Sequence, residues 1–142
     1  SGQAAITYAI QTIAEAGDNI VAASALYGGS LNLLAHTLPQ YGIQTRFADP
    51  ADPSAFAALI DARTKAVFVE SVGNPSGGIA DLRQLADISH AAGVALVYAL
   101  PRDFWGDTVQ GANFVGTAPG ALANRGGVGL GQLRAEAERS DK

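Results

Sequence analysis

Residues 1–98 of this 142-residue chain predict an α/β fold, a mostly parallel sheet with helices on both faces. Three features carry that expectation. Short apolar runs of strand length alternate with longer stretches whose apolar residues recur at helical spacing. The run "KAVFVES" (65–71) is apolar almost throughout, as a strand covered on both sides must be. Glycine, proline and aspartate fall between the periodic stretches, where caps and turns are needed.

The elements follow in order. "QAAITYAIQTIAEA" (3–16) repeats Ala5, Ile6, Ala9, Ile10 and Ile13 along one helical face, and Gly17 supplies the stop. "NIVAAS" (19–24) is a short buried strand. A second helix starts around Ser30 and carries Leu31, Leu33, Leu34 and Leu38 towards Pro39 and Gly42, where it must kink or end. "IQTRFA" (43–48) alternates like a strand with one face exposed. Ser54 caps a helix from about 55 to 62, and the 65–71 strand follows. Asp81 caps "LRQLADISHAAG", which ends at Gly93, and "VALVY" (94–98) is the next strand. Strictly alternating strands and helices connect by right-handed crossovers.

Beyond Pro101 the pattern fails. Eight of the 17 glycines lie there, no apolar run resembles the earlier strands, and the only periodic piece is a short solvated helix at 132–142. The expected division is therefore an α/β unit over 1–98 and a divergent Gly-rich tail over 99–142, either frameshifted or disordered.

Composition narrows the chemistry. Hydrophobic residues make up 48%, charged residues 15%, and the net charge is −4, which fits a globular protein and disfavours a nucleic-acid partner. No apolar run is long enough to span a bilayer and no basic-then-apolar leader opens the chain, so neither membrane insertion nor export is expected and the cytoplasm is the default location. Without cysteine there is no disulfide, thiolate metal site or thiol nucleophile, and His36 and His90 alone make no metal centre. The reaction must draw on other side chains or on a cofactor.

Open parallel sheets bind ligands outside the C-terminal ends of their strands, where helix N-termini present unpaired amides. Three segments meet that description. Ser1 and Gly2 open the first helix. "ALYGGS" (25–30) follows the first strand and sets Tyr27 beside Gly28 and Gly29. "ESVGNPSGG" (70–78) follows the third strand, with Glu70 at its tip and Asn74 in the turn. Each segment alone also reads as a cap, a packed aromatic or a turn. Glu70 is harder to set aside, because an acid that ends an apolar strand needs a partner or a wet cleft.

"SGQAAITYAIQTIAEAGDNIV", "LYGGSLNLLAHTLPQYGI", "TKAVFVESVGNPSGGIADL" and "ADISHAAGVALV" closely resemble the cofactor domain of the Cys/Met-metabolism family of pyridoxal-phosphate enzymes, and within it the O-acetylhomoserine sulfhydrylases. The resemblance runs from Ser1 to about Val97. It implies the large domain of the aspartate-aminotransferase type, pyridoxal phosphate as cofactor, an amino-acid substrate and a homotetrameric assembly. It implies also that the amides of Gly2 and Gln3 hold the cofactor phosphate, although the family usually has methionine at position 3. Tyr27 would stack on the ring and help move protons as the catalytic side chain. Asn74 would hydrogen-bond the phenolic oxygen, and Glu70 would help order the cleft.

Two parts of the family pattern are missing. The aspartate that keeps the ring nitrogen protonated is matched by Ala99, and a methyl group cannot stabilise a pyridinium. The Ser-x-Thr-Lys that supplies the Schiff-base lysine is matched by "GALANRGG" (120–127). Of the two lysines, Lys65 lies roughly 16 Å from Glu70 along its strand, and Lys142 ends a polar tail, so both are expected to be solvated. "VYALPRDF" breaks the resemblance in mid-strand, which suggests a shift of reading frame near Tyr98. The Ser-Gly start, with no preceding element, also suggests a cut.

The resemblance thus implies sulfide replacing acetate on O-acetylhomoserine to give homocysteine, in a chain that is itself inactive. The rivals are a non-catalytic remnant binding phosphate or a homologous subunit, another member such as cystathionine γ-synthase or γ-lyase, and an unrelated doubly wound nucleotide-binding domain. His36 and His90 are expected on helix surfaces, and Arg46, Arg63 and Arg83 on polar faces. Trp105 reads as an anchor for the tail. "RGGVGLGQL" (125–133) lacks the G-x-G-x-x-G spacing of a dinucleotide loop.

Overall fold

The computed structural model describes residues 2–99 and 115–117. Its elements are α1 (Gly2–Ile13), β1 (Asn19–Ala23), α2 (Gly28–Asn32), β2 (Gln44–Ala48), α3 (Pro53–Leu59), β3 (Thr64–Glu70), α4 (Leu82–Ala91), β4 (Ala95–Ala99) and β5 (Val115–Thr117). Among the described residues the strands form one sheet in the order β2-β1-β3-β4-β5. The first four are parallel, and β5 runs antiparallel to β4.

That order fixes where the connections diverge. The chain steps from β1 outward to β2, then returns past β1 to β3 and continues to β4. With right-handed crossovers, the reversal puts α2 on one face and α3 and α4 on the other. The packing agrees, since α3 touches α4 while α1 touches α2. Connections leaving β1 and β3 therefore diverge to opposite faces, the arrangement that in open α/β sheets makes a crevice between the C-terminal ends of the two strands.

The apolar pattern explains the core. α1 buries Ile6 and Ile10, four residues apart on one face. Ile20, Val21, Val67, Phe68, Val69 and Leu96 fill the sheet, with Phe56 of α3 and Leu85 of α4 fully buried against it. Each such side chain contributes about 1.5–3 kcal/mol by leaving water.

The second helical stretch is not one helix. α2 is followed by a π-helical turn (Leu33–Thr37) and a 3-10 turn (Leu38–Tyr41). Pro39 has no amide hydrogen, so a regular ladder cannot run through it. Gly42 ends the segment at φ 80°, where an added Cβ would stand 2.8 Å from the Cβ of Ala16. Leu33, Leu34 and Leu38 are buried as the pattern requires, but Leu31 is exposed. α3 begins two residues before the expected start, because Asp52 rather than Ser54 is its cap: the Asp52 carboxylate accepts from the Ser54 amide at 3.0 Å. Asp81 caps α4 as expected, accepting from Gln84 N at 2.9 Å.

At the N-terminal edge of the sheet two polar side chains are buried, Asn19 and Thr64. Both are satisfied. Thr64 Oγ1 donates to Asn19 Oδ1 at 2.7 Å, and Asn19 Nδ2 donates to Asp61 Oδ1 at 2.9 Å. Arg46 joins them instead of standing free in solvent, donating to Leu59 O at 2.7 Å and to Asp61 Oδ2 at 2.6 Å. Lys65 is exposed, yet its Nζ lies 3.6 Å from Asp18 Oδ1. His36, His90, Arg63 and Arg83 are on the surface.

β4 reaches Ala99, and β5 pairs along residues 97–99, in a tail where no strand is expected. The 132–142 helix, Trp105, the 125–133 glycines and the rest of that tail lie outside the described residues.

Candidate functional site

Glu70 ends β3 at the mouth of the crevice and is half-buried. Its two oxygens reach across to the segment that leaves β1. Oε2 accepts from the Tyr27 amide at 2.8 Å, and Oε1 accepts from Ser30 Oγ at 2.8 Å. An acid closing an apolar strand thus finds two donors, and bonds to a charged acceptor are stronger than neutral ones. Ser30 is buried at 1% exposure, so its hydroxyl depends on this partner.

The turn that Glu70 holds presents Tyr27, which is 55% exposed at the rim. Beneath it, Gly29 leaves room for two side chains: an added Cβ would lie 2.8 Å from Tyr27 Cε1 and 2.9 Å from the tip of the Gln3 carboxamide, so one of them would have to shift. The first turn of α1 and the aromatic ring are therefore neighbours. With its amide turned to satisfy both groups it faces, Gln3 donates to Gly29 O at 3.1 Å and accepts from Ser30 N at 3.2 Å. Gly2 opens α1, whose first turn carries no acid to oppose an anion.

Asn74 lies in the turn after β3 and is exposed. Gly73 N donates to Gly78 O at 2.7 Å and Gly77 N to Gly73 O at 2.8 Å, closing the turn, and Val72 bridges Ile79. The turn abuts the connection after β1, since a Cβ on Gly73 would lie 3.3 Å from Ala25 Cβ. Gln3, Tyr27 and Glu70 therefore share one hydrogen-bonded and packed cluster, Gly2 adjoins it in sequence, and Asn74 rises from the neighbouring turn. Ser30, Gly29 and the Gln3 side chain are the participants that sequence reasoning missed. Ser-x-x after a Gly-Gly is a weak signal, and the partners are distant in sequence.

Ala99 pairs with Glu70 in the sheet. Paired residues of parallel strands project to the same face, so the buried methyl of Ala99 stands beside the Glu70 side chain where β4 meets the crevice. Among the described residues Lys65 is the sole lysine, and it sits at the opposite end of β3. Ser1, residues 120–127 and Lys142 lie outside the described residues.

The arrangement joins an anion-favouring helix start, an exposed aromatic face and a carboxyl group held by two donors, with an amide side chain in the neighbouring turn. Among the described residues no group of three His, Asp or Glu could hold a metal ion. No described helix is long and apolar enough to cross a membrane.

Comparison with known proteins places this geometry in context. The family described as Cys/Met metabolism PLP-dependent enzyme matches residues 1–99. Homocysteine synthase of Schizosaccharomyces pombe is 52% identical over 97 residues, which is 68% of this chain and 23% of that protein. O-acetylhomoserine sulfhydrylase of Wolinella succinogenes superposes with a TM-score of 0.67 at 44% identity, covering 69% of this chain and 28% of the other. An O-acetylhomoserine (thiol)-lyase of Campylobacter jejuni, whose structure holds a pyridoxyl-lysine phosphate, gives a TM-score of 0.67 at 37% identity, covering 69% and 24%. The chain thus spans about a quarter of the length of the proteins it matches.

Proposed function

This chain belongs to the Cys/Met metabolism family of PLP-dependent enzymes, and we propose that it carries the cofactor cradle of an O-acetylhomoserine sulfhydrylase without the groups that tether and polarise the cofactor. The observation behind this reading is the joining of Gln3, Tyr27 and Glu70 at the crevice between β1 and β3. Pyridoxal phosphate, when bound, supplies an electron-withdrawing ring that stabilises negative charge on an amino-acid substrate.

The fit is good on one side of the crevice. The Gly2 and Gln3 amides at the start of α1 would hold the phosphate, where aligned peptide dipoles favour an anion. Tyr27 would lay its exposed face on the ring, and its Oη would take up or release a proton beside the substrate. Asn74 would donate to the phenolic oxygen. Glu70 orients rather than reacts, because both of its oxygens already hold the turn that carries Tyr27.

On the β4 side the fit fails. Ala99 offers no charge to a ring nitrogen, and Lys65, paired with Asp18 at the far end of its strand, cannot reach the cradle. These two residues favour a second reading for the chain itself, a non-catalytic remnant that binds phosphate or a homologous subunit. Under either reading the amino-acid substrate and the sulfhydrylase reaction belong to the intact relative, as do a homo-oligomeric state and a cytoplasmic location.

Borohydride reduction after incubation with pyridoxal phosphate separates a tethered cofactor from a reversibly held one. No stoichiometric pyridoxyl adduct is expected at Lys65 or Lys142. An adduct formed at one lysine in full yield would contradict the missing tether.

A further inference from the structure

Gln3 enters the cradle by its side chain as well as its backbone. With its amide oriented to match the groups it faces, the carboxamide donates to Gly29 O at 3.1 Å and accepts from Ser30 N at 3.2 Å, two bonds of opposite sense that a primary amide can make at once. Ser30 Oγ then donates to Glu70 Oε1, and Glu70 Oε2 accepts from Tyr27 N, each at 2.8 Å. A continuous chain of hydrogen bonds runs from the start of α1 to the residue that presents the aromatic ring. Gly29 makes room for it, because a Cβ there would lie 2.8 Å from Tyr27 Cε1 and 2.9 Å from the tip of the Gln3 carboxamide.

We propose that Gln3 is a positioning residue whose side chain clips the anion-binding end of α1 to the Tyr27 turn, so that the site selects ligands carrying a phosphate and an aromatic ring together. The proposal rests on the cofactor reading above. Its thermodynamic content is a coupling within one ligand: the clip holds the Tyr27 ring at a fixed distance from the start of α1, so a ligand that carries both groups gains from engaging both at once, whereas a lone anion gains nothing from it. Without the clip, phosphate and ring would be recognised independently. A backbone donor at position 3 works with any side chain, so the carboxamide has a role that the amide alone does not explain.

Amide hydrogen exchange and ligand titration on the full chain, followed residue by residue, test the clip with Gln3→Met, Gln3→Glu and Gln3→Ala. Methionine keeps the length and the backbone donor but loses both side-chain bonds, whereas glutamate keeps the acceptor for Ser30 N. Without ligand, Ser30 should exchange about fivefold faster in Q3M and Q3A and stay within about twofold of wild type in Q3E. Unchanged protection at residues 67–69 identifies variants that are folded. Should all three lose that protection, Gly29→Ala, which crowds Gln3 and Tyr27 apart, is expected to give the same Ser30 acceleration. In Q3M the affinity for pyridoxal phosphate should fall about fivefold while that for inorganic phosphate changes by less than about twofold. A role confined to folding would move both affinities alike.

Equal Ser30 exchange in wild type and Q3M overturns the clip, and parallel loss of both affinities overturns the coupling. Wild-type protein that prefers pyridoxal phosphate no more than inorganic phosphate overturns the cofactor reading and the selectivity with it, while ligand-free exchange at Ser30 still judges the clip separately.

Discussion

Glu70 is the residue on which the geometry of the crevice turns. One carboxylate holds both the amide of Tyr27 and the hydroxyl of the buried Ser30, so its removal leaves a buried donor without a partner. Glu70→Ala is expected to lower the unfolding free energy by about 2–3 kcal/mol in urea titrations, and a change below about 0.5 kcal/mol would show that water replaces the carboxylate freely. At the other end of the sheet, Asp61 is held below the usual carboxylate range, first by the hydrogen bond from Asn19, then by that from Arg46 and by the Arg63 amide. A carboxyl whose folded pKa is depressed adds stability above its unfolded pKa and loses it as the pH falls towards the folded value. Stability should therefore decline below about pH 5, and Asp61→Asn should flatten that decline when thermal midpoints are followed from neutral to acid pH. An identical decline in the variant would assign the acid sensitivity elsewhere.

The order of the elements was legible in the chain because strand-length apolar runs and helical spacing fall in regular alternation. Details that depend on partners far away in sequence were not. Strand alternation turns Arg46 outward, but it does not reveal that the connection from α3 to β3 brings Leu59 O and the Asp61 carboxylate to meet it. Local chemistry was read better for α4 than for α3. Aspartate before Leu82 is an unambiguous cap, while Asp52, Pro53 and Ser54 offer competing starts and Asp52 prevails by accepting from Ser54 N. Asp81→Ala should cost about 1 kcal/mol and speed amide exchange first in the opening turn of α4. Uniform acceleration across the sheet would mean that the helix start governs more than its own turn. Pro39 signalled a break, yet only the structure resolves it into a π-helical turn followed by a 3-10 turn.

At the scale of the molecule, the proposed function depends on the point where the sheet reverses direction. Three segments distant in sequence, the start of α1, the turn after β1 and the turn after β3, meet there because β1 and β3 are neighbours while their following helices lie on opposite faces. The candidate residues Gly2, Gln3, Tyr27, Glu70 and Asn74 were visible as segments that follow strands or open helices. The joining of Gln3, Tyr27 and Glu70 through Ser30 and Gly29 was not, since neither residue type announces a distant partner. On the β4 side the crevice meets the methyl of Ala99. The sharpest measurement of the whole account is a backbone amide map of the full chain titrated with pyridoxal phosphate. Shifts that saturate together at Gly2, Gln3, Tyr27 and Asn74, and reverse fully on dialysis, are the expected result. Saturating shifts confined to other surfaces, or no shifts at these four residues, would contradict a cradle at the reversal point.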